Sequence, residues 1–214
     1  MLRSLLDHLR GRSSLSDPKL PPPGWGTYAL KPKTLDRQWR DGRWAYMGGL
    51  AELGRYSVIA GYVSYFHPGG SVLDAGCGEG LLAGRLGPAG YSRYVGLDIS
   101  REAIDLATRH GFPDATFVQG DIRTYQPETC FDTVVLNEVL YYLTDPIGVL
   151  DRIGRFVTPG GHLVGSMVVN ENTAANWKAL EGHLTFLDET VTSNQAAGSS
   201  WVCRVWQPNP ESPR

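Results

Sequence analysis

Three glycines at alternate positions, Gly76, Gly78 and Gly80, follow a short apolar run. Asp74 lies just before them and Glu79 among them. Glycine lets a backbone approach a ligand closely, and a helix that follows points its free N–H groups at the same place. Such a turn suits a nucleoside-bearing cofactor or a phosphate. A tight strand-to-helix turn with no ligand is the alternative for a GxG met alone. Spacing narrows the ligand. A dinucleotide fingerprint wants its third small residue three positions after the second glycine. Counted from Gly78 that position is Leu81, and Gly80 comes one residue early. No GK[ST] follows, which counts against a phosphate-binding loop.

Two further acids share this chemistry. Asp98 ends "YVGLD", where a carboxylate that accepts two hydrogen bonds suits the 2′ and 3′ hydroxyls of a ribose. Ser100, two residues on, is the better candidate to cap the next helix. In "QGDI", Asp121 can accept from an exocyclic amine while Ile122 lies against a purine face. Taken alone, "GD" is simply a turn.

These residues need elements to hold them. From Ser71 onward, strand and helix patterns alternate: strands at "SVLDAG", "YVGLDIS", "ATFVQGD", "FDTVVLNEV" and "HLVGSMVV", with helices at "EGLLAGRL", "REAIDLATRHG" and "DPIGVLDRIGRFVTPGG". Nearly continuous apolar strands between helices predict an α/β fold with a parallel sheet covered on both faces. The tail differs. "HLTFLDETVTSN" and "SSWVCRVWQP" alternate around "QAAG" and predict a β-hairpin. Before the first strand, apolar spacing predicts a helix from Gly48 to Phe66, broken by "HPGG". The resulting division is a flexible arm (1–24), an aromatic-rich helical cap or lid (25–70), a cofactor-binding domain (71–207) and a tail (208–214).

Composition excludes several classes. The chain has 214 residues and a formal net charge of −2, which suits one domain and offers no basic footprint for nucleic acid. Its three cysteines (Cys77, Cys130, Cys203) form no CxxC and no metal-ligand spacing, so a reduced, cytoplasmic setting is expected. No apolar run reaches the length of a membrane span and no secretory signal is read at the start.

Taken in order, "VLDAGCGEG", "GLDIS", "GDI", "FDTVVLNEVLYYLTDP" and "RIGRFVTPGGHLVGSM" resemble the motifs of class I S-adenosylmethionine-dependent methyltransferases. The resemblance spans about residues 44–207. It is strongest to small, metal-independent bacterial enzymes that methylate metabolites, natural products or sugars. It implies a Rossmann-like sandwich with a seven-stranded, mostly parallel sheet of order 3-2-1-4-5-7-6 whose last strand is antiparallel. It implies S-adenosylmethionine as cofactor, S-adenosylhomocysteine as product, and no metal. Asp74, Gly76 and Gly78 then match the positions beside the methionine portion. Asp98 matches the ribose acid and Ile99 a residue against one face of adenine. Asp121 and Ile122 match the adenine pair, and Asn137 a position near the methionine group and the methyl donor.

Methyl transfer is a displacement at carbon, so alignment and water exclusion supply much of the catalysis, although an oxygen or nitrogen acceptor can need a base. The candidates follow the fourth strand: Tyr142, where many relatives carry a histidine, Glu138 and Tyr141. A tyrosine with an ordinary pKa near 10 is a poor base at neutral pH and a good hydrogen-bond partner. Tyr46 is the expected cofactor-side contact from the lid, with Arg55 nearby. Trp44, Tyr141, Trp177 and His183 are candidates for the acceptor pocket. His67 and His162 should lie at the wrong end of the sheet, His110 ends a helix and His8 lies in the arm. The ends of strands four and five carry no acidic cluster, so no metal is expected. No [ND]PP[YF] motif is present to hold a flipped base. The expected protein is a monomer or homodimer acting on a small molecule, with no nucleic acid or membrane partner. A cofactor-binding subunit without turnover and an NAD-dependent oxidoreductase are the rival readings.

Overall fold

The computed structural model describes residues 31–208. The expected arm and most of the expected tail lie outside them. The described chain begins with helix α1 (Pro32–Arg40), two 3-10 turns (Ala45–Gly48 and Leu50–Glu52) and helix α2 (Leu53–Phe66). Next come β1 (Ser71–Ala75), α3 (Leu81–Leu86), β2 (Arg93–Asp98), α4 (Arg101–Arg109), β3 (Ala115–Gln119) and β4 (Phe131–Asn137). A 3-10 turn (Leu140–Tyr142), α5 (Pro146–Gly154), β5 (Val157–Val168), α6 (Glu171–Ala179), β6 (Thr185–Asn194) and β7 (Ser199–Gln207) complete it.

The strands form one seven-stranded sheet of order β3-β2-β1-β4-β5-β7-β6. β1 runs parallel to β2 and β4, and β4 parallel to β5; β7 is antiparallel to β5 and β6. The sequence-derived order and the antiparallel last strand are both observed. Successive strand residues point to opposite faces, so each face carries its own apolar layer. Leu73, Leu136, Leu163 and Trp206 pack with Leu150 and Ile153 of α5 and Trp177 of α6. Val72, Tyr94, Val135 and Val164 pack with Ile59 and Val63 of α2 and Leu82 of α3.

Two expectations on boundaries are corrected and one helix is added. The helix expected from Gly48 begins at Leu53, because Gly49 takes an extended backbone (φ −75°, ψ 169°). Glycine loses more entropy than other residues when fixed in a helix, and two in succession favour the break. The helix expected to reach Pro159-Gly160-Gly161 ends at Gly154, and those residues lie inside β5. There the register jumps from Phe131↔Val157 to Thr133↔His162, and proline and glycine are tolerated at such an irregularity. Helix α6 was not read from the sequence. Its start is fixed by a reciprocal cap in which Asn170 Oδ1 accepts from Thr173 N at 3.0 Å and Thr173 Oγ1 accepts from Asn170 N at 3.0 Å.

Candidate functional site

The glycine turn leaves β1 with backbone amides already committed. Gly76 N and Cys77 N both donate to Leu97 O, at 2.6 and 3.0 Å, fastening the turn to β2. Gly76, Gly78 and Gly80 have φ of +88°, +55° and +77°, conformations that side chains other than glycine's rarely adopt. Space demands glycine as well. A Cβ at Gly78 would sit 3.0 Å from the Trp39 ring, and one at Gly80 would sit 2.8 Å from Phe117.

Asp98 closes the other side of the turn. One carboxylate oxygen accepts from Gly78 N at 3.0 Å and the other from Ser100 N at 2.8 Å. Burial pushes its pKa up while these backbone donors pull it back. Each oxygen has two acceptor sites, so capacity remains for ligand hydroxyls. Ser100 caps α4, accepting from Ala103 N at 3.3 Å, and its hydroxyl donates to Asp36 of α1 at 2.7 Å.

Asp74 lies deeper, at 2% exposure. Tyr94 donates its hydroxyl proton to one oxygen at 2.5 Å, and Oδ1 has no hydrogen-bond partner among the described residues. Burial raises its pKa from 3.8 to about 7; the Tyr94 hydrogen bond opposes this, and nearby Asp98 adds to it.

Past β3, Asp121 is held by its neighbour. Arg123 donates to both carboxylate oxygens through Nε, at 2.9 and 3.0 Å, and its backbone N donates at 2.8 Å. The Arg123 hydrogen bond holds the Asp121 carboxyl below its usual range. Ile122 packs half-buried against the core, and half-buried Ile99 accepts at its carbonyl from Gln119 at 3.4 Å.

The end of β4 carries a connected polar network. Arg55 of α2, 2% exposed, donates to Glu52 at 2.7 Å and to Asn137 Oδ1. Its guanidinium lies 4.8 Å from the Tyr56 ring and 5.7 Å from that of Trp201. Burial works against its charge, but the carboxylates of Glu138 and Glu52 hold its pKa above the ordinary value. The Ser166 hydroxyl lies 2.9 Å from both Asn137 Oδ1 and Glu138 Oε1. Glu138 sits at φ +59° and accepts on its other oxygen from Val168 N and the Tyr141 hydroxyl, each at 3.1 Å. Burial raises the Glu138 pKa against the pull of Arg55 and these donors, and burial raises that of Tyr141 well above a phenol's usual value.

The structure brings Gly76, Gly78, Asp98, Asn137, Glu138 and Tyr141 to the carboxyl ends of the strands. Trp44 stacks on Trp39 at 5.9 Å and meets Tyr46 at 6.3 Å, so a row of aromatic rings continues from the one over Gly78. Tyr46 is 54% exposed. Tyr142 is half-buried with its ring 4.6 Å from Tyr141, and His183 is exposed just before β6. Trp177, expected to line an acceptor pocket, is instead buried, 5.7 Å from Trp206 and beneath the Arg204 guanidinium at 4.6 Å. The unread helix α6 draws it into the core. His67 and His162 meet each other at 2.9 Å, with His162 paired on β4 before the strands' carboxyl ends, as expected. Sequence reasoning missed Trp39, Glu52, Ser166 and Arg123. Glu52 alone gave a local signal, an i,i+3 charge pair with Arg55. Among the described residues no three His, Cys, Asp or Glu side chains gather to hold a metal.

Residues 66–208 match the family model described as a methyltransferase domain. Among curated proteins, the chain is 32% identical over 120 residues to the ubiquinone biosynthesis O-methyltransferase of Vibrio cholerae serotype O1, covering 53% of this chain and 48% of that protein. It is 34% identical over 120 residues to the enzyme of the same name from Aliivibrio fischeri, covering 53% and 50%. The chain thus spans about half the length of the curated relatives it matches. Among solved structures it is similar to the N-methyltransferase NodS of Bradyrhizobium japonicum WM9 in complex with S-adenosylhomocysteine. That TM-score is 0.71 at 23% identity, covering 84% of this chain and 98% of that one. It is also similar to the 1,6-didemethyltoxoflavin-N1-methyltransferase of Burkholderia thailandensis, with TM-score 0.70 at 19% identity, covering 91% and 93%.

Proposed function

Because the chain belongs to the methyltransferase domain family, we propose that it transfers a methyl group from S-adenosylmethionine to an oxygen or nitrogen of a small molecule. The observation that carries this reading is the bond from Gly78 N to Asp98, which sets a ribose-binding carboxylate against a turn that only glycines can make. The residues present fit the cofactor: a glycine turn free of side chains for its amino-acid portion, acceptor capacity on Asp98 for the ribose, and Asp121 with Ile122 beyond β3 for the adenine.

Bound there, the cofactor supplies an activated methyl group on a sulfonium. The chain's residues bind and align. Asp98 takes the ribose hydroxyls. Asn137, its carbonyl oxygen held by Arg55 and Ser166, faces the methionine end together with the glycine turn. Trp44 and Tyr46 cover the site and exclude water, which strengthens each electrostatic contact inside. Glu138 and Tyr141 shape the acceptor side, with Tyr142 and His183 at its border. Asp74 acts from below, through Tyr94, on the strand that feeds the turn. The acceptor is a metabolite, natural product or sugar, the reaction takes place in the cytoplasm without metal or nucleic acid, and the protein works as a monomer or homodimer.

Calorimetry with S-adenosylhomocysteine tests the carrying observation. Asp98→Ala is expected to weaken binding roughly 10- to 100-fold, the cost of losing charged acceptors. Unchanged affinity would remove Asp98 from the site. Labelled methyl donor offered with a panel of hydroxyl and amine acceptors tests turnover.

A further inference from the structure

Resting on the methyl-transfer reading, we infer that the acceptor atom is an amine nitrogen arriving with its lone pair free, because the groups at the ends of β4 and β5 leave no base for a hydroxyl. Glu138 is the carboxylate at this place, and its oxygens already take Ser166 Oγ, Val168 N and the Tyr141 hydroxyl. Acting as a base would put a proton among three donors and break the bonds that join β4 to β5. The Tyr141 proton is committed to Glu138, while its oxygen keeps lone pairs that can accept from an incoming N–H. Glu52 is tied to Arg55.

The described histidines lie elsewhere. His67 and His162 bond to each other, His110 stacks on Phe112 beyond α4, and His183 is exposed after α6. A hydroxyl acceptor has a proton to lose as it attacks, and a neutral amine does not. The nitrogen lone pair forms the N–CH3 bond as the S–CH3 bond breaks, and that bond's electron pair stays on sulfur. The sulfonium's positive charge passes to nitrogen, and the new ammonium gives its proton to water. When ionised, Glu52, Glu138 and Arg55 sum to one negative charge. That field favours a nitrogen gaining positive charge and opposes the entry of a phenolate or carboxylate.

Isosteric pairs test this: benzylamine with benzyl alcohol, aniline with phenol, and glucosamine with glucose. Each is offered to the full chain with S-adenosylmethionine, and products are read by mass. The amine of a pair is expected to take the methyl group. For benzylamine and a ring-trifluoromethylated benzylamine, the rising limb of kcat/KM against pH should shift by the difference between the two amines' own pKa values. Independently of turnover, benzylammonium beside S-adenosylhomocysteine carries the charge of the product, so benzylamine should bind the saturated protein more tightly below its pKa than above it, while benzyl alcohol should be indifferent to pH by calorimetry. His8 lies outside the described residues, so His8→Ala is run in parallel and should keep the limb in place. Transfer to the hydroxyl members, a limb at one fixed pH for both amines, or a limb lost in His8→Ala would overturn the inference. Transfer to no member would overturn it too. The methyltransferase reading is then judged separately, by whether S-adenosylhomocysteine binds.

Discussion

Asp74 is a carboxylate whose charged form the fold disfavours. A pKa raised from 3.8 to about 7 by burial means that the folded state holds a proton the unfolded chain has released. Stability therefore falls as pH climbs from about 4 to about 7 and stays reduced above, a loss of roughly 4 kcal/mol at most at about 1.4 kcal/mol per pKa step. Asp74→Asn should recover about 1–3 kcal/mol at pH 8, less than the full amount because its new amide also needs partners. That gain should shrink toward zero near pH 4. Calorimetric melting of both proteins across pH checks this, and a difference independent of pH would refute it. The price at this position was invisible in the sequence, where Asp74 reads only as an acid beside glycines. Its hydrogen-bond partner is Tyr94, twenty residues away on β2. Asp121 was legible as an acceptor, but not its capture by Arg123, because the clamp depends on how the chain turns after β3. Asp98 was legible as an acid at a strand end, but its bond to Gly78, also twenty residues away, was not.

Helix α1 is tied to α4 through Asp36, while its buried Trp39 packs on the glycine turn. Asp36 accepts from the Ser100 hydroxyl at 2.7 Å and from Glu102 N at 3.3 Å, adding a second cap to α4 beside the Ser100 cap. The exposed Arg40–Glu102 ion pair adds little to this. Asp36→Ala should cost about 1 kcal/mol, as loss of a cap does. It should also speed amide exchange over residues 32–52 while β1 and β4 stay protected. Hydrogen exchange by mass spectrometry measures both, and uniform change across the chain would contradict a local attachment. Elements with a simple period were readable: β1 to β4, the hairpin of β6 and β7, and helix α4 with its cap at Ser100. The start of α2 was not: the apolar spacing read as helical from Gly48 becomes helix only at Leu53, because Gly49 is extended. α6 was missed because its cap, Asn170, follows directly on β5.

At the scale of the whole molecule, alternating strands and helices made the parallel sheet legible and the final alternating hairpin its antiparallel pair, whereas the order of the strands came from the resemblance of the ordered motifs to a known family. Which side chains converge on the strand ends was less legible. Arg55 reaches Asn137 across eighty-two positions, and no local pattern records that meeting. A ligand that binds only the folded chain stabilises all of it. S-adenosylhomocysteine at 100 times its Kd should add about 2.7 kcal/mol, which for a chain of this size raises Tm by roughly 5–10 °C. NAD should leave Tm unchanged, and the reverse pattern would return the chain to the oxidoreductase class. The ring stack over the glycine turn has a last consequence. Trp39 lies against Gly78 and is stacked on Trp44, so two indoles sit at the turn proposed to take the cofactor's amino-acid end. The protein thereby carries its own optical reporter. Cofactor entry should change tryptophan emission without any added dye, Trp39→Phe should remove most of that change, and the rate of the signal would time the lid directly.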